Sequence, residues 1–133
     1  MEPGSRNVFL TSHQAHFHGK KPVPVEYEPV AASKRAGEDA LRGMIPELDS
    51  RGIELVVVSG DMIEGTITAT MLNRAEPGAI EARREAAGKL YSVEEFAAEV
   101  ASLVGRDLPA GHTEYVGGAQ DFLEAAGGDP DHR

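Results

Sequence analysis

The chain has 133 residues, 13 Lys+Arg against 22 Asp+Glu, no Cys and a formal charge of −9. That is enough for one domain and too acidic for a nucleic-acid surface, which needs clustered Lys and Arg. No apolar run nears the ~20 residues of a membrane span, MEPGSRNVFL lacks a secretory-signal pattern, and the missing Cys excludes disulfides, thiolate metal sites and cysteine nucleophiles, compatible with a cytoplasmic location.

Val8-Phe9-Leu10 is a short apolar run with a β-branched member, predicted as a strand buried on both faces. From His13 to Pro29 nothing is periodic. His13, His16 and His18 crowd together and Pro22, Pro24 and Pro29 follow, so a polar surface loop is expected. The H-x-x-H-x-H spacing suits Zn²⁺ or Ni²⁺, but no acid or Cys accompanies it before Glu26, and no metal is assigned.

From Val30 the pattern turns helical. Ala32, Ala36, Ala40, Met44 and Leu48 recur every four positions with Leu41 and Ile45 beside them, predicting an amphipathic helix of about five turns. Lys34, Arg35, Glu38, Asp39 and Arg42 fall on the rest, and Glu38 and Glu64 read as solvated charges. Gly43 and Pro46 predict a kink and Gly52 a stop. Ile53 to Val58 is the strongest strand, suited to the centre of a parallel sheet, and it runs into the turn Ser59-Gly60-Asp61. Thr68 is the expected cap of a short helix over Ala69 to Arg74. Pro77-Gly78 breaks it, and Ala79 to Ala87 forms a second helix stopped by Gly88. Ser92 and Glu95 make a capping box, after which Phe96, Val100, Leu103 and Val104 share one face. Thr113 to Val116 is a last strand, closed by Gly117-Gly118, and the Gly- and Asp-rich end is expected to fray.

Strands alternating with helices imply an α/β fold with about three parallel strands and flanking helices. Three strands leave two open edges, so the chain looks like part of something larger.

With these elements in place, the chain resembles the C-terminal half of a short-chain dehydrogenase/reductase. VFLTS ends in Ser12, where that family's catalytic Ser closes a strand. Val30-Ala31-Ala32-Ser33-Lys34-Arg35-Ala36 matches the Ser-Lys-x-Ala part of its helix motif. Arg51-Gly52-Ile53 matches the turn into the next strand, and Val58-Ser59-Gly60-Asp61-Met62-Ile63-Glu64-Gly65-Thr66 parallels Val-Ser-Pro-Gly-x-Ile-x-Thr. Tyr115-Val116-Gly117-Gly118 matches the family's final strand. The resemblance implies a partial Rossmann-like domain over residues 1–118, with 66–88 as a helical lid and 119–133 as a tail.

It also implies an oxidoreductase that uses NAD or NADP to transfer hydride at a hydroxyl or carbonyl of a small-molecule substrate. Ser12 would polarise the carbonyl, and Lys34 would hold the nicotinamide ribose and tune the acid. Gly60, Ile63 and Thr66 would line the cofactor. Met62, Met71 and Leu72 are candidates for an apolar substrate pocket.

Three departures stand out. No glycine-rich dinucleotide turn precedes Ser12, so this chain alone is expected to be inactive or very weak. Val30 stands four before Lys34, where the family has its proton-donating Tyr, kept on one helix face with the Lys. Tyr27 is the nearby phenol, expected on the loop before the helix because Pro29 disfavours helix at Glu28; it either swings in as a substitute acid or packs its ring under the loop. Gly60-Asp61 replaces Pro-Gly, and Asp61 suits an Asx-type cap. The alternative reading is a non-catalytic subunit or interaction module, whose Ala-rich helix and open sheet edge dock a partner chain or a second copy.

Overall fold

The computed structural model describes residues 2–131. Strand β1 (Arg6–Ser12) runs into a short helix α1 (His13–His16), and a 3₁₀ turn at Val25–Tyr27 leads into α2 (Glu28–Gly43) and α3 (Ile45–Ser50). Then follow β2 (Glu54–Gly60), α4 (Ile67–Ala75), α5 (Ala79–Ala87), α6 (Val93–Ser102), β3 (His112–Val116) and α7 (Gln120–Ala126). The strands form one parallel sheet in the order β1-β2-β3. This is a Rossmann-like α/β arrangement with both outer edges open, as expected.

Val56, Val57 and Val58 are fully buried because β2 is covered on both faces. On one face Leu55 and Val57 pack with Ile45, Phe9, Leu41 and Leu48 under α2 and α3. On the other, Val58 and Val116 pack with Leu103, Phe96, Val100 and Leu108 under α6. The register sets Ser12 against Gly60 and Gly60 against Val116, so all three strands end at one rim. Open parallel sheets place ligands there.

Several local expectations change. The loop after Ser12 is partly helical: the Ser12 hydroxyl accepts from the Ala15 amide at 3.2 Å and starts α1. Helix α2 begins at Glu28, two residues earlier than expected, since Pro29 lies in its first turn, where no amide is missed. The preceding 3₁₀ turn already carries Glu28 into helical geometry, with Tyr27 N and Glu28 N both donating to Pro24 O. The expected single kinked helix is two helices, broken at Met44 ahead of Pro46.

The buried stripe of α2 is Ala31, Glu38 and Arg42, while Ala36, Ala40 and Met44 face outward. Thr66, not Thr68, caps α4, its hydroxyl accepting from Ala69 N at 3.2 Å. The capping box of Ser92 and Glu95 forms as expected. Beyond Gly118, where fraying was expected, α7 packs Phe122 at 4 % exposure against Phe17.

Candidate functional site

Ser12 closes β1 at the rim, and the 3₁₀ turn swings Tyr27 in beside it. Their hydroxyls lie 3.0 Å apart, and Tyr27 is 7 % exposed. The Lys34 ammonium, two turns along α2, stands 6.0 Å from the centre of the Tyr27 ring. Val30, four before Lys34 in the sequence, is 42 % exposed and carries no proton. The structure thus brings Ser12, Tyr27 and Lys34 together without a Tyr on the helix.

They line a cleft of about 280 Å³ whose walls also include Gly60, Ile63 and Thr66, so all six residues singled out in the sequence share one cavity. Gly60 offers only its backbone, because a Cβ there would lie 2.5 Å from the Phe96 ring. The Thr66 hydroxyl donates to Ile63 O at 2.8 Å while it caps α4. Of the candidate pocket residues, Met62 and Leu72 reach this cleft.

The floor is polar and was not anticipated. Arg83, on α5, reaches across it. Its Nη1 donates to Asp121 Oδ2 at 2.6 Å, its Nη2 donates to Gly118 O at 2.8 Å, and its Nε lies 2.8 Å from Asp61 Oδ1. Arg83 also lies 5.0 Å above the Phe122 ring, and Lys21 pairs with Asp121 from the other side. Burial works against an ionised Asp121, but the hydrogen bonds from Arg83 and Lys21 outweigh it and hold its carboxyl below the usual range. Burial pushes the Asp61 carboxyl up, with Arg83 opposing. Asp61 also accepts from the next amide, Met62 N, at 2.8 Å, which is the expected Asx-type contact.

The segment 66–88 is therefore tied to the end of β2 and to α7. Among the described residues, the buried side-chain polar atoms without an aligned hydrogen-bond partner are Thr11 Oγ1, His13 Nε2, Asp61 Oδ2 and Arg83 Nε, the last of which meets Asp61 Oδ1 only as an ion pair. All four residues line this cleft. Buried polar atoms are ordinarily satisfied, so such a concentration marks a place built for more than packing.

The histidines also depart from the surface-loop expectation: His13 and His16 are each 1 % exposed. His16 Nδ1 sits 2.8 Å from Glu38 Oε2, and Arg42 Nε donates to that same oxygen at 2.8 Å. Glu38, read as a solvated charge, is fully buried. His16, Glu38 and Asp131 hold ligand-type atoms within 4.8 Å of one another. Arg42 and Arg35 already bind the carboxylates, so the cluster is a charge-balanced network and not an open cation site.

His13 Nδ1 meets Ser59 Oγ at 2.7 Å. Burial, helped by the nearby Arg83 charge, brings its pKa from 6.5 down to about 4. Between those values the unfolded chain binds a proton that the folded chain refuses. The stabilisation is complete above pH 6.5 and is lost as pH falls through about 4. It amounts to about 3 kcal/mol at full extent. Urea midpoints should fall across this window, before most carboxylates titrate. In His13→Gln the slope over the same window should largely vanish; an unchanged slope would assign it elsewhere.

No protein-family model matches the sequence, and no curated protein matches it. Among solved structures, the fold is similar to the crystal structure of a 3-hydroxyacyl-CoA dehydrogenase type-2 from Mycobacterium avium, with a TM-score of 0.59 and 21 % identity. The match covers 89 % of this chain and 45 % of that one, so this chain spans about half the length of that enzyme. Such a likeness establishes the fold.

The nicotinamide cofactor implied by the fold resemblance can be tested against the residues present. The rim cleft, with Lys34, Ile63, Thr66 and the Gly60 backbone on its walls, is of a size and chemistry for a nicotinamide and its ribose. Among the described residues, the turn after β3 does not offer the diphosphate such a seat. At the two-glycine turn after β3, a Cβ on Gly118 would lie 2.8 Å from Ala87, so that backbone is already covered.

Proposed function

We propose that this chain forms the carbonyl-binding half of an NAD(P)-dependent oxidoreductase of the short-chain dehydrogenase/reductase type, acting on a hydroxyl or carbonyl substrate. The observation that carries this reading is the 3.0 Å pair of Ser12 and Tyr27 hydroxyls beside Lys34. A phenol on the preceding turn thereby takes the place of the motif Tyr. The cofactor, NAD or NADP, supplies the hydride when bound.

The protein's part is to orient and to move a proton. Ser12 Oγ and Tyr27 Oη both donate to a substrate carbonyl oxygen, and Tyr27 passes its proton as that oxygen becomes an alcohol. The Lys34 ammonium offsets the negative charge that develops during the transfer. Lys34, Gly60, Ile63 and Thr66 would hold the nicotinamide end, and the helical segment 66–88 would cover it. The similarity to a dehydrogenase supports the class of reaction.

The test is fluorescence titration with reduced nicotinamide mononucleotide, which needs no adenosine seat. Binding is expected, weakened about tenfold or more in Lys34→Ala, since a tenfold change corresponds to ~1.4 kcal/mol and one charged contact is worth that much. No binding by the folded chain would refute the reading.

A second reading has its own support. Ala36, Ala40 and Met44 face outward on α2, and Leu10 is 51 % exposed beside the open edge of β1. These surfaces suit a partner chain or a second copy, as in a non-catalytic subunit. A stable complex in light scattering, together with no nucleotide binding, favours that role.

A further inference from the structure

On the far side of the Tyr27 ring a larger groove, about 770 Å³, opens between the start of α2 and α4. It shares Tyr27, Lys34, Thr68 and Leu72 with the rim cleft, so the two cavities adjoin along these side chains. Val30 and Met71 flank it while 42 % and 62 % exposed, large apolar side chains left uncovered on opposite banks. Arg74 stands at its outer end.

Charge singles out the same groove. Among the described residues, every Lys and Arg lies in an ion pair except Lys20, Lys34 and Arg74. Two of those three line this one groove, in a chain whose net charge is −9. Glu26 is the one acid on its walls, and it pairs with neither cation. Lys34 also serves the rim cleft, so Arg74, left uncompensated beside an apolar trough in a chain rich in acids, is the cation available to an anion from outside. Arg suits this role because its planar fork meets a carboxylate or phosphate with two parallel hydrogen bonds.

We propose that the groove binds the apolar body of an anionic amphiphile: an aliphatic hydroxy or keto compound whose acidic end pairs with Arg74. Its reacting carbon then lies at Ser12 and Tyr27, so this assignment rests on the oxidoreductase reading. Thr68 lines both cavities and Arg74 follows it by six residues on the same helix. At 1.5 Å per residue the acid is held ~9 Å from the junction of the two cavities, which selects a chain of medium length. Carboxylate and phosphate share the required chemistry.

Calorimetric titration with octanoate, octyl phosphate, octanol and octyltrimethylammonium tests this directly. Both anions are expected to bind and the cation is not; the tighter anion identifies the headgroup. Arg74→Glu should weaken the anions about tenfold or more while leaving octanol nearly unchanged, because one charge-assisted contact is lost and replaced by repulsion. Met71→Glu, on the apolar bank, should weaken octanol as well. Arg51→Glu makes the same charge change on an exposed side chain outside the groove and should alter nothing.

Equal binding of the cation and the anions, or no effect of Arg74→Glu, overturns the proposal. Tyr27→Phe separates it from the reaction. Octanoate binding retained in a chain that binds no nicotinamide mononucleotide sinks the oxidoreductase reading and leaves the groove. Nicotinamide binding without Arg74-dependent anion binding does the reverse.

Discussion

Replacing Glu38 with alanine is expected to destabilise the fold by about 3–5 kcal/mol, the cost of stranding buried charges by removing one partner. Glu38 is fully buried on the inward face of α2. Its carboxylate receives Arg42 Nε and contacts His16 Nδ1, each at 2.8 Å, and Arg35 Nη1 donates at 3.3 Å. Arg42 continues outward, with Nη1 donating to Gly111 O at 2.9 Å and Nη2 to Thr113 Oγ1 at 2.7 Å. One carboxylate therefore ties α2 to α1 and, through Arg42, to β3. Removing it leaves the Arg42 guanidinium, at 7 % exposure, without its nearer counter-charge and with Asp131 Oδ2 at 3.5 Å as the carboxylate still facing it.

Glu38→Gln, which keeps the size and one acceptor, should cost less. In Glu38→Leu, adding Arg42→Met should recover part of the loss, since no buried guanidinium is then left facing an apolar partner, although Gly111 O and Thr113 Oγ1 lose their donor. Urea denaturation reads all four variants. A loss in Glu38→Ala below about 1 kcal/mol would mean that the network behaves like a surface salt bridge.

That network explains why the sequence and the structure agree on some elements and part on others. β2, the capping box and the Gly88 stop were legible because each depends on neighbours in the chain. Three consecutive valines need covering on both faces, and Ser92 and Glu95 satisfy each other's amides within one turn. The inward face of α2 was not legible by the same logic. Its apolar spacing runs through Ala32, Ala36, Ala40, Met44 and Leu48 with Leu41 and Ile45 beside them; Leu41, Ile45 and Leu48 do pack, but Ala36, Ala40 and Met44 are exposed and Glu38 and Arg42 are buried. Their partners, His16, Gly111 and Thr113, come from distant parts of the chain.

The same cause hid α1. Without knowing that Ser59 and Glu38 approach them, His13 and His16 read as solvent-facing side chains of a loop. A usable signal was present all the same: His16, Glu38 and Arg42 are three buried-compatible polar residues on elements that flank the strongest strand, and Glu38 and Arg42 are spaced i, i+4. The rim was more readable, because parallel topology alone brings Ser12 and Gly60 to one end of the sheet. Whether Tyr27 reached it depended on the short turn at Val25–Tyr27, whose hydrogen bonds to Pro24 no periodicity reveals.

Tyr27→Phe is expected to lower carbonyl-dependent oxidation of the reduced cofactor by about 10²–10⁴-fold, the usual contribution of a positioned general acid. Folding and nicotinamide binding should be retained. The substitution deletes one oxygen and keeps the ring that packs with Ala15, Ala31 and Leu72. Turnover by this chain is expected to be slow, because the two-glycine turn after β3 is covered and closed to the diphosphate, so the ratio of wild type to variant carries the information. Ser12→Ala is a harder comparison, since the Ser12 hydroxyl also starts α1 and its loss disturbs the helix that buries His13 and His16. The two effects separate in a thermal melt: Tyr27→Phe should leave it nearly unchanged and Ser12→Ala should lower it. A Tyr27→Phe chain that turns over as fast as wild type would assign the phenol a packing role under its turn, and the proton would have to come from elsewhere in the cleft.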